Sequence, residues 1–275
     1  MTGKLMKYEL RGCMRIFLPL WAAVLVLSVI NGLTNGNQAT VSGVLPRIIL
    51  FVLPAVALGV LLIGMFAVAL VIIVRRFYHG LLGEGGYFAF SLPATTSQQI
   101  FARLFTSCLM QLGCFLTAFL SAVIIFSIQA KNPILGELKT FLNVAVTVLK
   151  RYPHTTLLAI EGIVLVLLVI SATILRLYSA MAIGHLSASH RVWLSVGAYL
   201  VMGWIIGYGF GKLGVSMVRM LGDADLNIIV SAETAAESIS NCMKVSGIVI
   251  VILLAENVIL WLITHLILKK KLNIL

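Results

Sequence analysis

From Ile48 to Val74 the chain runs for 27 residues without a charged side chain. A helix on the surface of a water-soluble domain keeps a polar face, and this segment has no charge with which to make one. As an α-helix rising ~1.5 Å per residue it reaches about 40 Å, more than the ~30 Å of a bilayer's hydrocarbon core. In lipid a helix is also the one conformation in which a lone segment satisfies its own peptide groups. The run is therefore expected to span a membrane. Its excess length calls for a tilt or a bend, and Pro54, Gly59 and Gly64 offer places to bend.

Five further apolar runs follow the same logic, at about 16–30, 104–128, 155–176, 192–210 and 245–268. The first is short and contains Pro19, and the fourth contains Glu161 and admits continuation past Arg176. The expected fold is all-α: a polytopic integral membrane protein with six transmembrane helices, forming one transmembrane domain over residues 1–275. Composition agrees, since only 11% of residues are charged, against roughly 25% in a soluble domain. So few charges cannot wet a surface that faces water on all sides.

The net charge of +11 needs a separate explanation. Nucleic-acid binding would require a basic face on a soluble fold, whereas here Lys and Arg stand at the edges of apolar runs. No nucleic-acid partner is expected; the partner that fits is a lipid bilayer. With six spans both termini lie on one side. That side collects twelve basic residues (Lys4, Lys7, Arg11, Arg15, Arg75, Arg76, Arg103, Arg176, Arg191, Lys269, Lys270, Lys271) against eight on the other. The positive-inside rule then places both termini in the cytoplasm of a cell whose plasma membrane the chain spans.

Three segments outside the spans have an amphipathic character. Lys4, Lys7, Arg11 and Arg15 line one helical face, with Met6, Leu10 and Met14 on another. This predicts an interfacial helix feeding the first span, and no small-residue site marks it as a cleaved signal. Leu135, Leu138, Leu142, Ala145 and Leu149 form an apolar stripe, which predicts an external interfacial helix over 134–151. The last external loop, 211–244, is long enough for a small cap, with Ser231 placed to start a helix.

Catalytic signatures are absent from the sequence. There is no GxxxxGK[ST] to hold ATP, no HExxH and no GxSxG. The five histidines are dispersed and the four cysteines show no metal spacing. The chain is expected to be non-catalytic, with no metal and no cofactor of its own.

The most informative stretch is RRFYHGLLGEGGYFAFSLPATTSQQIFAR, residues 75–103. Two arginines anchor the end of the second span, and four glycines permit a sharp turn. Tyr87, Phe88 and Phe90 make an aromatic patch, Pro93 ends the extended piece, and Thr96 with Gln99 fits a capping box opening the next helix. Such a loop suits docking against another protein.

Residues 83–93 (GEGGYFAFSLP), followed by 98–105, resemble the loop of permease subunits in bacterial type-2 ATP-binding-cassette exporters. Further similarity lies in YSAMAIGH at 178–185 and KKLN at 270–273. Arg103 stands where that family usually has Lys, and an additional Gly precedes Tyr87. The resemblance implies a membrane channel built from two such chains, identical or related. Two separate ATPase subunits would bind ATP and Mg beneath it, and a short coupling helix after Pro93 would be seated in the ATPase. It also implies a docking surface of Glu84, Tyr87, Leu92, Pro93, Thr96, Gln99 and Arg103, and transport in the direction of export.

The spans hold few polar side chains. Glu256 with Asn257 in the sixth is either part of a polar translocation surface or an interhelical hydrogen bond, whereas Glu161, nearer the outer end of the fourth, is expected to reach headgroup water. The same two glutamates admit a different function, a carrier driven by ions or protons without any ATPase. Gly203, Gly207 and Gly211 form a row at i, i+4, i+8 in the fifth span. That row lets a helix approach closely, from another subunit or from this chain.

Overall fold

A computed structural model describes residues 2–35, 48–82, 95–129, 136, 139–140, 143, 146–147, 155–186, 190–222 and 232–272. These residues are helical throughout apart from short turns, with no strand among them. The helices are α1 (Thr2–Asn35), α2 (Leu53–Phe77), α3 (Thr96–Gln129), α4 (Thr155–Gly184), α5 (Arg191–Gly222) and α6 (Ala232–Leu272). Each is long and apolar enough to cross a membrane. The chain is an all-α polytopic membrane protein.

Several boundaries differ from the sequence expectation. α1 passes without a break from Thr2 through Pro19 to Asn35, so the basic amino-terminal segment and the first span are one helix. Proline forfeits one peptide hydrogen bond, but in an apolar surrounding a full break would leave more peptide groups unpaired. α2 likewise continues as one α-helix through Gly59 and Gly64. Its irregularities fall at its ends, in the wide π turns Ile48–Val52 and Tyr78–Leu82. The first of these ends two residues before Pro54, whose missing N–H cannot close the normal turn. α5 and α6 extend well into the segment read as an external cap, α5 to Gly222 and α6 from Ala232, one residue after Ser231. Of the amphipathic segment 134–151, the described residues Gly136, Lys139, Thr140, Asn143, Val146 and Thr147 are helical.

The chain divides into two compact units. The first holds residues 1–76 and 101–147. Its core gathers Cys13, Phe17 and Val24 of α1, Leu58, Met65 and Ala69 of α2, and Met110 and Cys114 of α3. The α1 residues repeat at three- and four-residue intervals, continued by Leu10, Met14, Leu20 and Leu27 at the margin. Small residues let the helices meet. A Cβ on Gly113 would stand 2.4 Å from the Trp21 ring, and one on Gly32 2.9 Å from Ile128. Ser28 donates to Ser121 at 2.6 Å across the same interior, and Asn31 Nδ2 donates to the Pro54 carbonyl at 3.1 Å.

The second unit holds residues 77–100 and 148–275. Here α4 packs against both α5 and α6. Its buried stripe includes Ile170, Ile174, Tyr178 and Met181, and the Tyr178 ring stacks on Phe77 at 4.0 Å. The end of α4 closely approaches the start of α5, since a Cβ on Gly184 would lie 2.7 Å from the Arg191 carbonyl oxygen. α5 itself has no buried residue in its most apolar stretch.

Candidate functional site

Two clusters of polar side chains interrupt these apolar helices, one in each unit. In the first unit Glu9 lies in the second turn of α1, Arg76 in the last turn of α2 and Arg103 in the second turn of α3. Arg76 Nη1 donates to both the carbonyl and the carboxylate Oε2 of Glu9, each at 2.6 Å. Arg103 Nη1 donates to the Arg76 carbonyl at 2.9 Å, and its Nε lies 3.8 Å from Glu9 Oε1. The absence of a side chain at Gly12 makes room, since a Cβ there would fall 2.2 Å from Arg76 Nη2. Pairs as exposed as these contribute about 1 kcal/mol or less each. Their value is positional: Arg76 and Arg103 bracket the 77–102 segment, and Glu9 ties the two ends together.

The described residues of the expected docking surface differ in exposure. The Arg103 side chain is only 10% exposed and engaged within the chain, while Gln99 is buried at 2%. Phe101 and Phe105, together with Gln98, stand on the open side of α3 instead. The helix cap also sits one residue earlier than expected. Thr95 N donates to Gln98 Oε1 at 3.2 Å and Gln98 N to Thr95 Oγ1 at 3.4 Å, a capping box on Thr95 and Gln98 rather than Thr96 and Gln99. Among the described residues α3 continues unbroken from Thr96 into the span, with no separate short helix. Glu84, Tyr87, Leu92 and Pro93 lie outside the described residues.

In the second unit polar side chains tie α4 to α6 along their length. Ser246 Oγ donates to Glu161 Oε2. Ser171 Oγ donates to Asn257 Oδ1 at 2.7 Å, while Asn257 Nδ2 donates to the carbonyls of Leu253 at 2.7 Å and Leu168 at 3.2 Å. Arg176 Nε donates to Glu256 Oε1 at 2.6 Å, with the two side chains 24% and 10% exposed. α4 continues past Arg176 to Gly184, so this residue lies within the helix and not at its end.

Register explains the pairing. The Glu161–Ser246 and Ser171–Asn257 bonds set the two helices so that Arg176 is level with Trp261, about a turn and a half beyond Glu256. Side chains on a helix lean towards its amino terminus, and an arginine is long enough to reach back across that gap. Sequence reading singled out Glu256 but not its partner. The available signal was a lone Arg and a lone Glu in two different apolar runs, each too costly in lipid to stand unpaired.

The glycine row of α5 has a plain outcome. Nothing lies within 4 Å of a Cβ built on Gly203, Gly207 or Gly211, so no described part of this chain packs there. Among the described residues no group of three His, Cys, Asp or Glu side chains could hold a metal. His265 stacks on Trp261 at 5.3 Å and meets Ser97 Oγ at 3.4 Å. Compared with known proteins, the chain matches no family model, no curated protein and no solved structure.

Proposed function

We propose that the chain is the membrane-spanning permease subunit of an ATP-binding-cassette exporter, with ATP and Mg held by a separate ATPase subunit. A second permease chain, identical or related, completes the translocation pathway in a bacterial plasma membrane, with both termini cytoplasmic. The observation that carries this reading is the 75–103 segment. Its sequence resembles the permease loop of that family, and its two flanking arginines are bound together through Glu9. A loop tied at its base can pass a push from a docked ATPase into α1, α2 and α3 together. The lack of a P-loop in the sequence agrees with hydrolysis in another chain. The direction of export rests on the resemblance.

Affinity purification of the chain from its native membrane tests the reading. Recovery of an ATP-binding subunit in near-equal amount supports it; recovery without one in several mild detergents sinks it.

One observation favours a second reading, a carrier driven by ions or protons. Glu161 and Glu256 both lie inside spans and both bridge α4 to α6. That reading expects transport by the purified chain alone in vesicles, abolished by Glu256→Gln.

A further inference from the structure

We infer that Arg176, held by Glu256, is a binding site for the anionic group of an amphiphilic molecule within the membrane. The guanidinium offers five N–H donors in a fixed fork, yet among the described residues its one recorded partner is Glu256 Oε1, bound through Nε alone. The side chain remains 24% exposed, so the unengaged Nη edge is open. Hydrocarbon supplies no acceptor, and an unsatisfied polar group there is costly. A carboxylate or phosphate fits this edge in two-point geometry.

The surroundings decide what kind of molecule can bring such a group. On the same helical faces, Val169 and Thr173 of α4 and Ile252 and Ile259 of α6 are not buried. A ligand here therefore needs an apolar body beside its charged head. Depth narrows the choice further. Glu256 stands midway along the α6 span Met243–Lys269, about 20 Å from either end at ~1.5 Å per residue. A lipid at rest keeps its headgroup about 15 Å from the midplane, at the edge of the hydrocarbon core. The bound species is an anionic amphiphile in passage, either a free one or a lipid drawn out of register.

Glu256 acts as the positioning residue. Its Oε1 fixes Nε and turns the other donors outward, while Oε2 is buried with no hydrogen-bond partner. An incoming anion competes with Glu256 for the guanidinium. Neutralising Glu256 should then leave binding intact or tighten it.

This inference rests on the second unit lining a transport route but not on an ATPase. It is tested with the purified chain alone, so its failure is separable from failure to recover a partner. The chain is held in maltoside micelles and titrated with monododecyl phosphate below its own micelle concentration, with native mass spectrometry as the readout. Wild type should bind about one molecule. Dodecyltrimethylammonium, of equal chain length and opposite charge, should bind about tenfold more weakly or not at all. Glu256→Gln should bind as well as wild type or better. The double variant Arg176→Gln, Glu256→Gln, which leaves no buried charge unpaired, should lose about tenfold or more. Phosphatidylglycerol offered separately tells a lipid source from a free amphiphile, and preference for either supports the site. Equal binding by the double variant overturns the inference. So does loss of binding in Arg11→Gln, Arg15→Gln, exposed positions on α1, because capture would then occur at the headgroups.

Discussion

The two units hold their helices together by different means. In the first, the interior is mainly apolar and close-fitting, with Gly113 admitting Trp21 and Gly32 admitting Ile128; its polar crossings are uncharged, as between Ser28 and Ser121, and the charged contacts gather at one end around Glu9. In the second, polar side chains cross between α4 and α6 at three levels, one of them an ion pair at mid-span. Lipid tails are as apolar as leucine, so burial from water does not drive helices together in a bilayer. What remains is van der Waals fit or polar attraction. The first unit relies mainly on fit, the second on attraction. A fitted interface is hard to change without a clash, whereas a polar one can exchange partners. The second unit is therefore the better place for a site that binds and releases.

Substitutions can break or sharpen this contrast. The largest effect should come from Arg176→Met, which strands a buried carboxylate and should cost about 3–5 kcal/mol. The double variant Arg176→Met, Glu256→Leu should recover most of that loss, both measured as unfolding in mixed micelles. If the double variant is as unstable as the single one, attraction is not what ties α4 to α6. Next, Gly113→Val should cost about 1–3 kcal/mol by overpacking against Trp21, and Trp21→Leu in the same chain should relieve part of it. Unchanged stability on Gly113→Val would mean that the fit in the first unit is loose. Ser121→Ala removes the hydrogen bond from Ser28 and should cost about 0.6 kcal/mol, a minor term beside the packing. Smallest of all, Gly207→Leu should change the stability of the isolated chain by less than about 0.5 kcal/mol, since the position faces open space. Any loss of co-purification between tagged and untagged copies in that variant would assign the α5 row to contact with a second chain.

Much of the fold was legible beforehand. All six spans follow from long apolar runs, four of them free of charge, and the start of α3 was placed to within one residue by a Thr and a Gln three apart. The two cap candidates, Thr95 with Gln98 and Thr96 with Gln99, have the same spacing and identical residue types. Only the folded backbone distinguishes them, and it selects the first. Pattern alone did not reveal that α1 is continuous, because a row of basic residues before a proline reads equally well as a separate interfacial helix. The orientation of Arg103 was likewise open until Glu9 was seen beside it. Glu9 sits on the helical face opposite the basic row, two residues from Lys7 and from Arg11, and carries no motif, so nothing in its local sequence points to Arg76, 67 positions away.

The amino-acid sequence by itself determined that this protein has six membrane-spanning helices, because a lone apolar segment in hydrocarbon satisfies its own peptide groups only as a helix. It also determined which residues are too polar to face lipid. Only the tertiary structure decided how those residues are paired. Arg176 meets Glu256 because the register of α4 against α6, set by Ser171, Asn257, Glu161 and Ser246, leaves the two within reach of a long side chain leaning towards its helix's amino terminus. Helix periodicity is a local property and can be read along the chain; register between two helices depends on contacts some 80 residues apart and cannot.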